Sequence, residues 1–163
     1  MTIWVVRHGL AGRKRDWPGD DDLRPLDALG HRQAETVADV LAGRHPTRLA
    51  SSPTRRCVDT LVPLAARLDR DVLRCDALRA NAYPGGLLLL LENEAMPGDV
   101  VCTHGELMRP ALAELHRRGA VPDVYADDDL LAKGAVWEMD AATMTLVRLL
   151  PEPGTLTGRS PES

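Results

Sequence analysis

The sequence contains no phenylalanine, and only 3% of its 163 residues are aromatic. Stacking platforms for nucleic-acid bases and the aromatic belts of membrane proteins both need such side chains. No run of 18 apolar residues occurs, so a transmembrane helix is not expected. The first residues also lack the basic region, hydrophobic stretch and cleavage site of a signal peptide. We therefore expect a cytoplasmic protein with no membrane partner.

Cysteine and lysine are also scarce. Cys57, Cys75 and Cys102 are odd in number and lack C-x-x-C spacing, which argues against a disulfide framework and a thiolate zinc site. Of the 20 basic residues only Lys14 and Lys133 are lysine, whereas acidic residues number 24 and the formal net charge is −4. The broad positive field of a nucleic-acid-binding protein is therefore absent, and we expect any anion site to be local.

Short apolar runs alternate along the chain with longer segments of helical periodicity, which is typical of an α/β fold around a mainly parallel sheet. The pattern predicts strands at 3–6, 48–51, 72–74 and 99–103, and a hairpin at 135–139 and 145–150. It predicts helices at 28–42, 53–68, 87–95 and 107–118. Proline at position 1 of the second helix is tolerated, whereas Pro63 is expected to kink or split it.

The length is that of one ordinary domain, which we assign to residues 1–150. Residues 151–163 hold three prolines and two glycines with little to bury, so we expect a disordered tail. Residues 10–26 form a polar loop whose length favours a functional or a flexible role over simple connection.

Three basic motifs follow predicted strands, and they are Arg7-His8-Gly9, Ser52-Pro53-Thr54-Arg55-Arg56 and Thr103-His104-Gly105. Because the carboxyl ends of parallel strands meet at one edge of a sheet, we expect these motifs to converge there. Two imidazoles and two guanidiniums at one place would bind phosphate or sulfate. Gly9 and Gly105 would let a ligand approach the backbone closely, and helix N-termini would add their dipoles.

The three motifs in this order resemble the histidine phosphatase superfamily, which also contains the phosphoglycerate mutases. The R-x-x-x-T arrangement of Arg56 and Thr60 selects Arg56 over Arg55 as the family arginine. The runs Arg24-Pro25-Leu26-Asp27 and Cys57-Val58-Asp59-Thr60 are similar to the short branch of bacterial phosphohistidine phosphatases and the phosphatase-like C-terminal domain of nucleotide-acting Nudix hydrolases. The resemblance spans about residues 3–150. It implies a three-layer αβα sandwich with a mainly parallel central sheet and an antiparallel edge strand.

The resemblance assigns His8 as a nucleophile that forms a phosphohistidine, which water then hydrolyses. Arg7, Arg56 and His104 would bind the nonbridging oxygens without a metal or a cofactor. His8 must be neutral to attack whereas His104 is useful as a cation, so we expect their pKa values to differ. No carboxylate or cysteine stands at metal-ligand spacing from these histidines, and the arginines would repel a cation.

One departure from the family concerns the proton donor to the leaving group. Most members place a glutamate where this chain has Ala80. Glu106, two residues beyond His104, resembles the carboxylate of the distant acid-phosphatase branch and is one candidate. Alternatively no acid is needed, because a phosphohistidine or a nucleoside polyphosphate releases a good leaving group. Asp20–Asp22 and Asp127–Asp129 are interpreted as solvated loop or cap positions, one of which could also supply the proton.

The substrate predicted from these residues is a phosphorylated small molecule, with a nucleotide favoured, or a protein phosphohistidine. Arg13, Arg15 and Trp17 are candidates for gripping a second phosphate and stacking a base, although a charged mobile loop explains them nearly as well. Two alternatives stay open at this point. One is phosphoryl transfer of the phosphoglycerate mutase type, and the other is a phosphate-binding scaffold without turnover.

Overall fold

A six-stranded sheet flanked by four helices makes up the protein, and the computed structural model describes residues 1–121 and 132–151. The strands are β1 (Thr2–Arg7), β2 (Arg48–Ser51), β3 (Val72–Arg74), β4 (Asp99–Thr103), β5 (Val136–Asp140) and β6 (Leu146–Leu150). The helices are α1 (Ala28–Leu41), α2 (Arg55–Leu68), α3 (Gly86–Asn93) and α4 (Gly105–Arg117). The predicted strands, the hairpin and the four helices are all confirmed within a few residues.

The strand order is β3-β2-β4-β1-β5-β6. β3, β2, β4 and β1 pair in parallel, whereas β5 pairs antiparallel with both β1 and β6. Arg7 is level with Thr103, and Ser51 is level with Cys102. The three basic motifs therefore begin at the same edge of the sheet, and the mainly parallel sheet with antiparallel strands at one side is confirmed.

Helices cover both faces of the sheet. Along β1, Trp4 and Val6 pack into a core cluster with α1 and α2. Ile3 and Val5 point to the opposite face and pack with α3 and α4. This alternation follows from the two-residue period of a strand that is buried on both sides. The three-layer αβα arrangement is thereby confirmed.

One detail of the helix predictions is wrong, and a second is narrowed. The second helix begins at Arg55 with Thr54 as its N-cap, so Pro53 lies before the helix and not in its first turn. The expected split at Pro63 does not occur, because α2 continues for 14 residues to Leu68, while the alternative of a kink stays a prediction. Leu61 and Leu64 on either side of Pro63 are fully buried against the sheet, and this packing stabilises the helix despite the missing N–H.

The described elements run from Thr2 to Leu150, and the single domain at residues 1–150 stays a prediction. The predicted tail lies outside the described residues from position 152 onward, and so do Asp127–Asp129. In the described part of the chain, no helix is long and apolar enough to span a bilayer.

Candidate active site

His8 and His104 lie side by side at the carboxyl edge of the sheet. Their ring centroids are 5.2 Å apart and the ring planes meet at 65°. His8 follows β1 directly and donates its backbone N–H to the carbonyl of Thr103, at 3.2 Å, at the end of β4. Both side chains are almost completely buried, at 4% and 1% exposure. The sheet register thus brings the two predicted histidines together.

The His8 imidazole is held by its own corner of the chain. Its Nδ1 is 2.8 Å from the carbonyl oxygen of Gly9. A carbonyl can only accept, so Nδ1 carries the proton and Nε2 keeps a lone pair. Burial lowers the pKa of His8 to about 2, with smaller contributions from the charges of His104, Arg56 and Lys133, although the bond to Gly9 opposes the shift. His8 is therefore neutral at physiological pH, as a nucleophile requires.

His104 has a different set of partners. Its Nε2 is 2.9 Å from the hydroxyl of Ser52, 3.4 Å from that of Thr54 and 3.5 Å from the thiol of Cys57. All of these side chains are buried. The Ser52-Pro53-Thr54 run after β2 therefore orients His104 as well as leading to Arg56. The sequence reasoning missed this role, although the position of the hydroxyls between a strand and the arginine motif was visible.

Arg56 is buried in the first turn of α2, with 5% of its surface exposed. Its Nη1 donates to the carbonyl of Asp21 at 2.8 Å, and its Nη2 donates to the Asp21 carboxylate at 3.1 Å. Within the described residues its buried Nε has no hydrogen-bond partner. A buried donor of this kind is costly unless a ligand satisfies it, which fits a site for an anion.

Thr60 explains the R-x-x-x-T spacing. Its hydroxyl donates to the backbone carbonyl of Arg56 at 2.7 Å, one helical turn earlier. The same oxygen accepts the backbone N–H of Gly9 at 3.0 Å. Thr60 therefore connects the start of α2 to the residue that follows His8, and it fixes the distance between the two halves of the site.

Asp21 is the principal residue that the sequence reasoning placed wrongly, since it is not a solvated loop position. Arg24, which is buried, donates Nε to the Asp21 carboxylate at 2.8 Å and Nη1 to the carbonyls of Ala11 and Gly12 at 3.0 and 3.2 Å. Partial burial would raise the pKa of Asp21, but the hydrogen bond from Arg24 and the charge of Arg56 outweigh it and the pKa is lowered. Asp21 is thus an anion that bridges Arg24 and Arg56.

Arg7 packs against the first turn of α4. A Cβ on Gly105 would lie 2.9 Å from Cζ of Arg7, so only glycine leaves room for the guanidinium here. Burial lowers the pKa of Arg7, while the charge of Glu106 raises it and that of Arg109 lowers it. Glu106 itself is exposed. The structure therefore brings Glu106 into the electrostatic surroundings of Arg7.

The other predicted binding residues differ in their positions. A Cβ on Gly9 would lie 2.9 Å from the carbonyl oxygen of Gly30 in α1, so glycine is needed there for packing. Arg13 and Trp17 contribute to a cavity of about 280 Å³, and Arg15 is not among its lining residues. Trp17 donates its ring N–H to the carbonyl of Asp20 at 2.8 Å. Binding of substrate by these residues stays a prediction.

Lys133 is a cationic residue near the site that the sequence reasoning missed. Lys133 is partly buried, and its charge contributes to the lowered pKa of His8. Nothing in its sequence context marks it, because it precedes a strand in a short Gly-containing turn. In the described ranges, no group of three or more His, Cys, Asp or Glu side chains is placed to hold a metal ion.

Taken together, these contacts gather a neutral imidazole, a second imidazole, the buried guanidinium of Arg56 and the half-buried guanidinium of Arg7 at one edge of the sheet. Such a set can bind an anion with several oxygens and present a nitrogen lone pair to its central atom. The chemistry that it suits is attack on phosphorus with electrostatic stabilisation of the equatorial oxygens.

A curated protein is similar to this chain over most of the chain's length. The chain is 35% identical over 153 residues to the 8-oxo-(d)GTP phosphatase of Mycolicibacterium smegmatis, which covers 90% of this chain and 46% of that protein. The chain therefore spans about half the length of this curated relative.

Solved structures share the fold. The protein histidine phosphatase SixA in complex with tungstate matches with a TM-score of 0.66 at 22% identity, over 91% of this chain and 94% of that one. A mycobacterial glucosyl-3-phosphoglycerate phosphatase matches with a TM-score of 0.59 at 19% identity, over 90% of this chain and 96% of that one. The family model of the histidine phosphatase superfamily (branch 1) matches residues 3–83, which include Arg7, His8 and Arg56. On these matches and this fold, the chain belongs to the histidine phosphatase superfamily.

Proposed function

We propose that this chain is a metal-independent phosphatase that forms a phosphohistidine on His8. Nε2 of His8 attacks the phosphorus atom, and the bond from phosphorus to the leaving group breaks. Water then attacks the phosphohistidine, inorganic phosphate leaves, and the His8 lone pair is restored. Arg7, Arg56 and His104 bind the nonbridging oxygens during both steps.

The observation that carries this proposal is the state of His8. The hydrogen bond from Nδ1 to the Gly9 carbonyl and the pKa of about 2 leave Nε2 unprotonated. A buried histidine kept for structure alone would gain nothing from two neighbouring guanidinium groups. Within the residues that the structure describes, the buried Nε of Arg56 has no hydrogen-bond partner, which supports an anion site beside it.

The shortage of proton donors at the site limits which leaving groups, and therefore which substrates, the site can act on. Ala80 stands where most relatives have an acid, and it cannot donate a proton. The pKa of Asp21 is lowered through Arg24 and Arg56, so Asp21 is a poor donor. Glu106, in the first turn of α4, contributes to the electrostatic surroundings of Arg7 and is the candidate donor that we test. Substrates whose leaving group needs little protonation, such as a phosphohistidine or a nucleoside polyphosphate, fit this site best.

A nucleotide is favoured among such substrates. The relative from Mycolicibacterium smegmatis is named for action on 8-oxo-(d)GTP, and the matched region covers nearly all of this chain. The cavity beside Trp17 and Arg13 offers an aromatic surface and a cation for a base and a phosphate. The protein phosphohistidine alternative is supported by the shared fold with SixA.

The test measures phosphate release in the presence of EDTA from a nucleoside diphosphate, a sugar phosphate and a phosphohistidine protein. Wild type, His8→Ala, Glu106→Gln and the control His31→Ala are compared, because His31 is an exposed histidine on α1. We expect His8→Ala to be inactive and His31→Ala to match wild type. Loss of activity with EDTA, or full activity of His8→Ala, would refute the mechanism.

Glu106→Gln separates the two readings of the leaving group. If Glu106 donates the proton, the variant loses activity on the sugar phosphate by about 10²-fold or more and keeps it on the phosphohistidine. Unchanged rates on all three substrates would show that no proton donor is needed at this position. Transfer of the phosphoryl group to a second sugar phosphate, in place of release to water, would support the mutase alternative.

A further inference from the structure

A short segment before β5 is fastened to the end of β1 next to His8. The backbone N–H of Gly134 donates to the carbonyls of both Arg7 and His8, at 3.2 and 3.1 Å. Gly134 has a φ of +78°, which favours glycine and lets the turn approach these two carbonyls. The segment 132–135 therefore has a fixed position relative to the nucleophile.

Gln33 of α1 holds the same segment from the other side. Its Nε2 donates to the carbonyl of Lys133 at 3.0 Å, and its Oε1 accepts the backbone N–H of Leu10 at 2.8 Å. One side chain thus joins Lys133 to the loop that leaves the active site. Two sets of hydrogen bonds therefore fix the backbone of Lys133. The next residue, Gly134, donates its N–H to Arg7 and His8, and the carbonyl of Lys133 accepts from Gln33.

The charge around Lys133 is strongly unbalanced. Its pKa is lowered by burial and then by the charges of Arg7, Arg24 and Arg56, while Glu106 opposes the shift. The Asp21 carboxylate is already bonded to Arg24 and Arg56. Among the described residues no ion pair of Lys133 with an acidic side chain is present. An arriving anion would relieve the repulsion among these cations.

The transferred phosphoryl group already has Arg7, Arg56 and His104 for its three oxygens. Lys133 belongs to a different element, the turn before β5 whose Gly134 is bonded to the carbonyls of Arg7 and His8, and it is not needed to complete that set. We propose that Lys133 is a specificity residue that binds a second anionic group of the substrate, adjacent to the phosphoryl group that His8 attacks. This rests on the proposed function, and it narrows the substrate class to compounds with two neighbouring phosphates, such as nucleoside diphosphates.

The test compares binding of two anions to the intact chain by calorimetry at constant ionic strength. Inorganic phosphate probes the phosphoryl site alone, and methylenediphosphonate, whose P–C bonds resist hydrolysis, probes both positions. Wild type is compared with Lys133→Met and Lys133→Arg. Arg70→Met serves as the control for loss of one positive charge, because Arg70 is exposed beyond the C-terminal end of α2, far from the Arg56 end.

We expect Lys133→Met to weaken diphosphonate binding about 10-fold or more and phosphate binding by less than about twofold. Lys133→Arg should retain the preference, and Arg70→Met should leave both affinities unchanged. Equal weakening of both anions would assign Lys133 to the phosphoryl site and overturn the proposal, as would no change in either.

The experiment also separates this inference from the proposed function. Diphosphonate binding that depends on Lys133 in a protein without phosphatase activity would support the second anion subsite and refute the phosphatase. Failure of wild type to bind either anion would overturn both.

Discussion

His8-Gly9 follows β1 and His104-Gly105 follows β4, and the two His-Gly corners lie next to each other with ring centroids 5.2 Å apart. At the first corner, Nδ1 donates to the Gly9 carbonyl and Nε2 keeps its lone pair. At the second corner, Nε2 is the atom held, by the hydroxyl of Ser52 at 2.9 Å. Two corners that are alike in sequence therefore hold different nitrogens of their imidazoles, which fits the proposed roles of attack for His8 and oxygen binding for His104.

The glycines of the two corners also differ, in what a side chain at each position would contact. Gly9 is required because its missing Cβ faces the backbone of Gly30 in α1, and Gly105 because its missing Cβ faces the guanidinium of Arg7. The first glycine serves the packing of a helix on the sheet. The second leaves room for the guanidinium of Arg7, which we propose binds the phosphoryl oxygens. We therefore expect the glycine to matter for stability at one corner and for activity at the other.

The largest expected difference between the two corners is in the effect on kcat of removing each imidazole. His8→Ala should lower kcat by about 10⁴-fold or more and abolish the phosphoenzyme, because no other group supplies the attacking lone pair. His104→Ala should lower kcat by about 10²–10³-fold, as for one lost oxyanion donor, and should still form the phosphoenzyme. Intact-protein mass measured after rapid mixing with substrate reports the covalent species.

Both variants must first show wild-type far-ultraviolet circular dichroism, since both histidines are buried. A phosphoenzyme in His8→Ala that is absent in His104→Ala would reverse the assignment of the two corners.

Alanine at each glycine separates packing from catalysis. Gly9→Ala pushes a methyl group into the Gly30 backbone and should lower the free energy of unfolding by about 1–3 kcal/mol. Gly105→Ala displaces the flexible end of Arg7 and should lower kcat/KM by about 10-fold or more, with a smaller loss of stability. Urea unfolding and steady-state kinetics on both variants check this. If both variants lost stability and kcat/KM in the same proportion, the two glycines would not differ in their roles.

Much of this comparison was visible in the sequence, for a physical reason. Apolar strands that end in a basic residue and glycine locate the motifs at one edge, and the spacing of Arg56 from Thr60 is local to one helix. The contacts of Asp21, Ser52 and Lys133 were not visible, because they join residues that only the fold brings together. Pro63 does not split its helix, because burial of Leu61 and Leu64 outweighs one lost hydrogen bond.

The protonation of His8 can be read from the pH dependence of stability. In the unfolded chain His8 has an ordinary pKa of about 6.5, whereas burial lowers its folded pKa to about 2. Below pH 6.5 the unfolded chain therefore binds a proton that the folded chain does not, and the free energy of unfolding falls as the pH falls.

This contribution reaches about 2 kcal/mol between neutral pH and about pH 5. Urea unfolding of wild type and His8→Gln at both pH values measures it, because the variant lacks the group. The decrease in wild type should exceed that in the variant by this amount. An identical decrease in both proteins would show that His8 is not held neutral by the fold.

The smallest effect concerns the group that orients His104. Ser52→Ala removes the hydroxyl at 2.9 Å from Nε2 but leaves Thr54 and Cys57 near the ring, so we expect kcat to fall by about 10-fold. Ser51→Ala is the matched control, because Ser51 is also fully buried and donates to the carbonyl of Ser52, not to His104. Both variants should lose about 1 kcal/mol of stability, so a rate loss confined to Ser52→Ala isolates the orientation of the imidazole. Equal rate losses in both would mean that the hydroxyls serve only the packing of the β2 end. The orientation of His104 would then depend on its position at the end of β4 and not on Ser52.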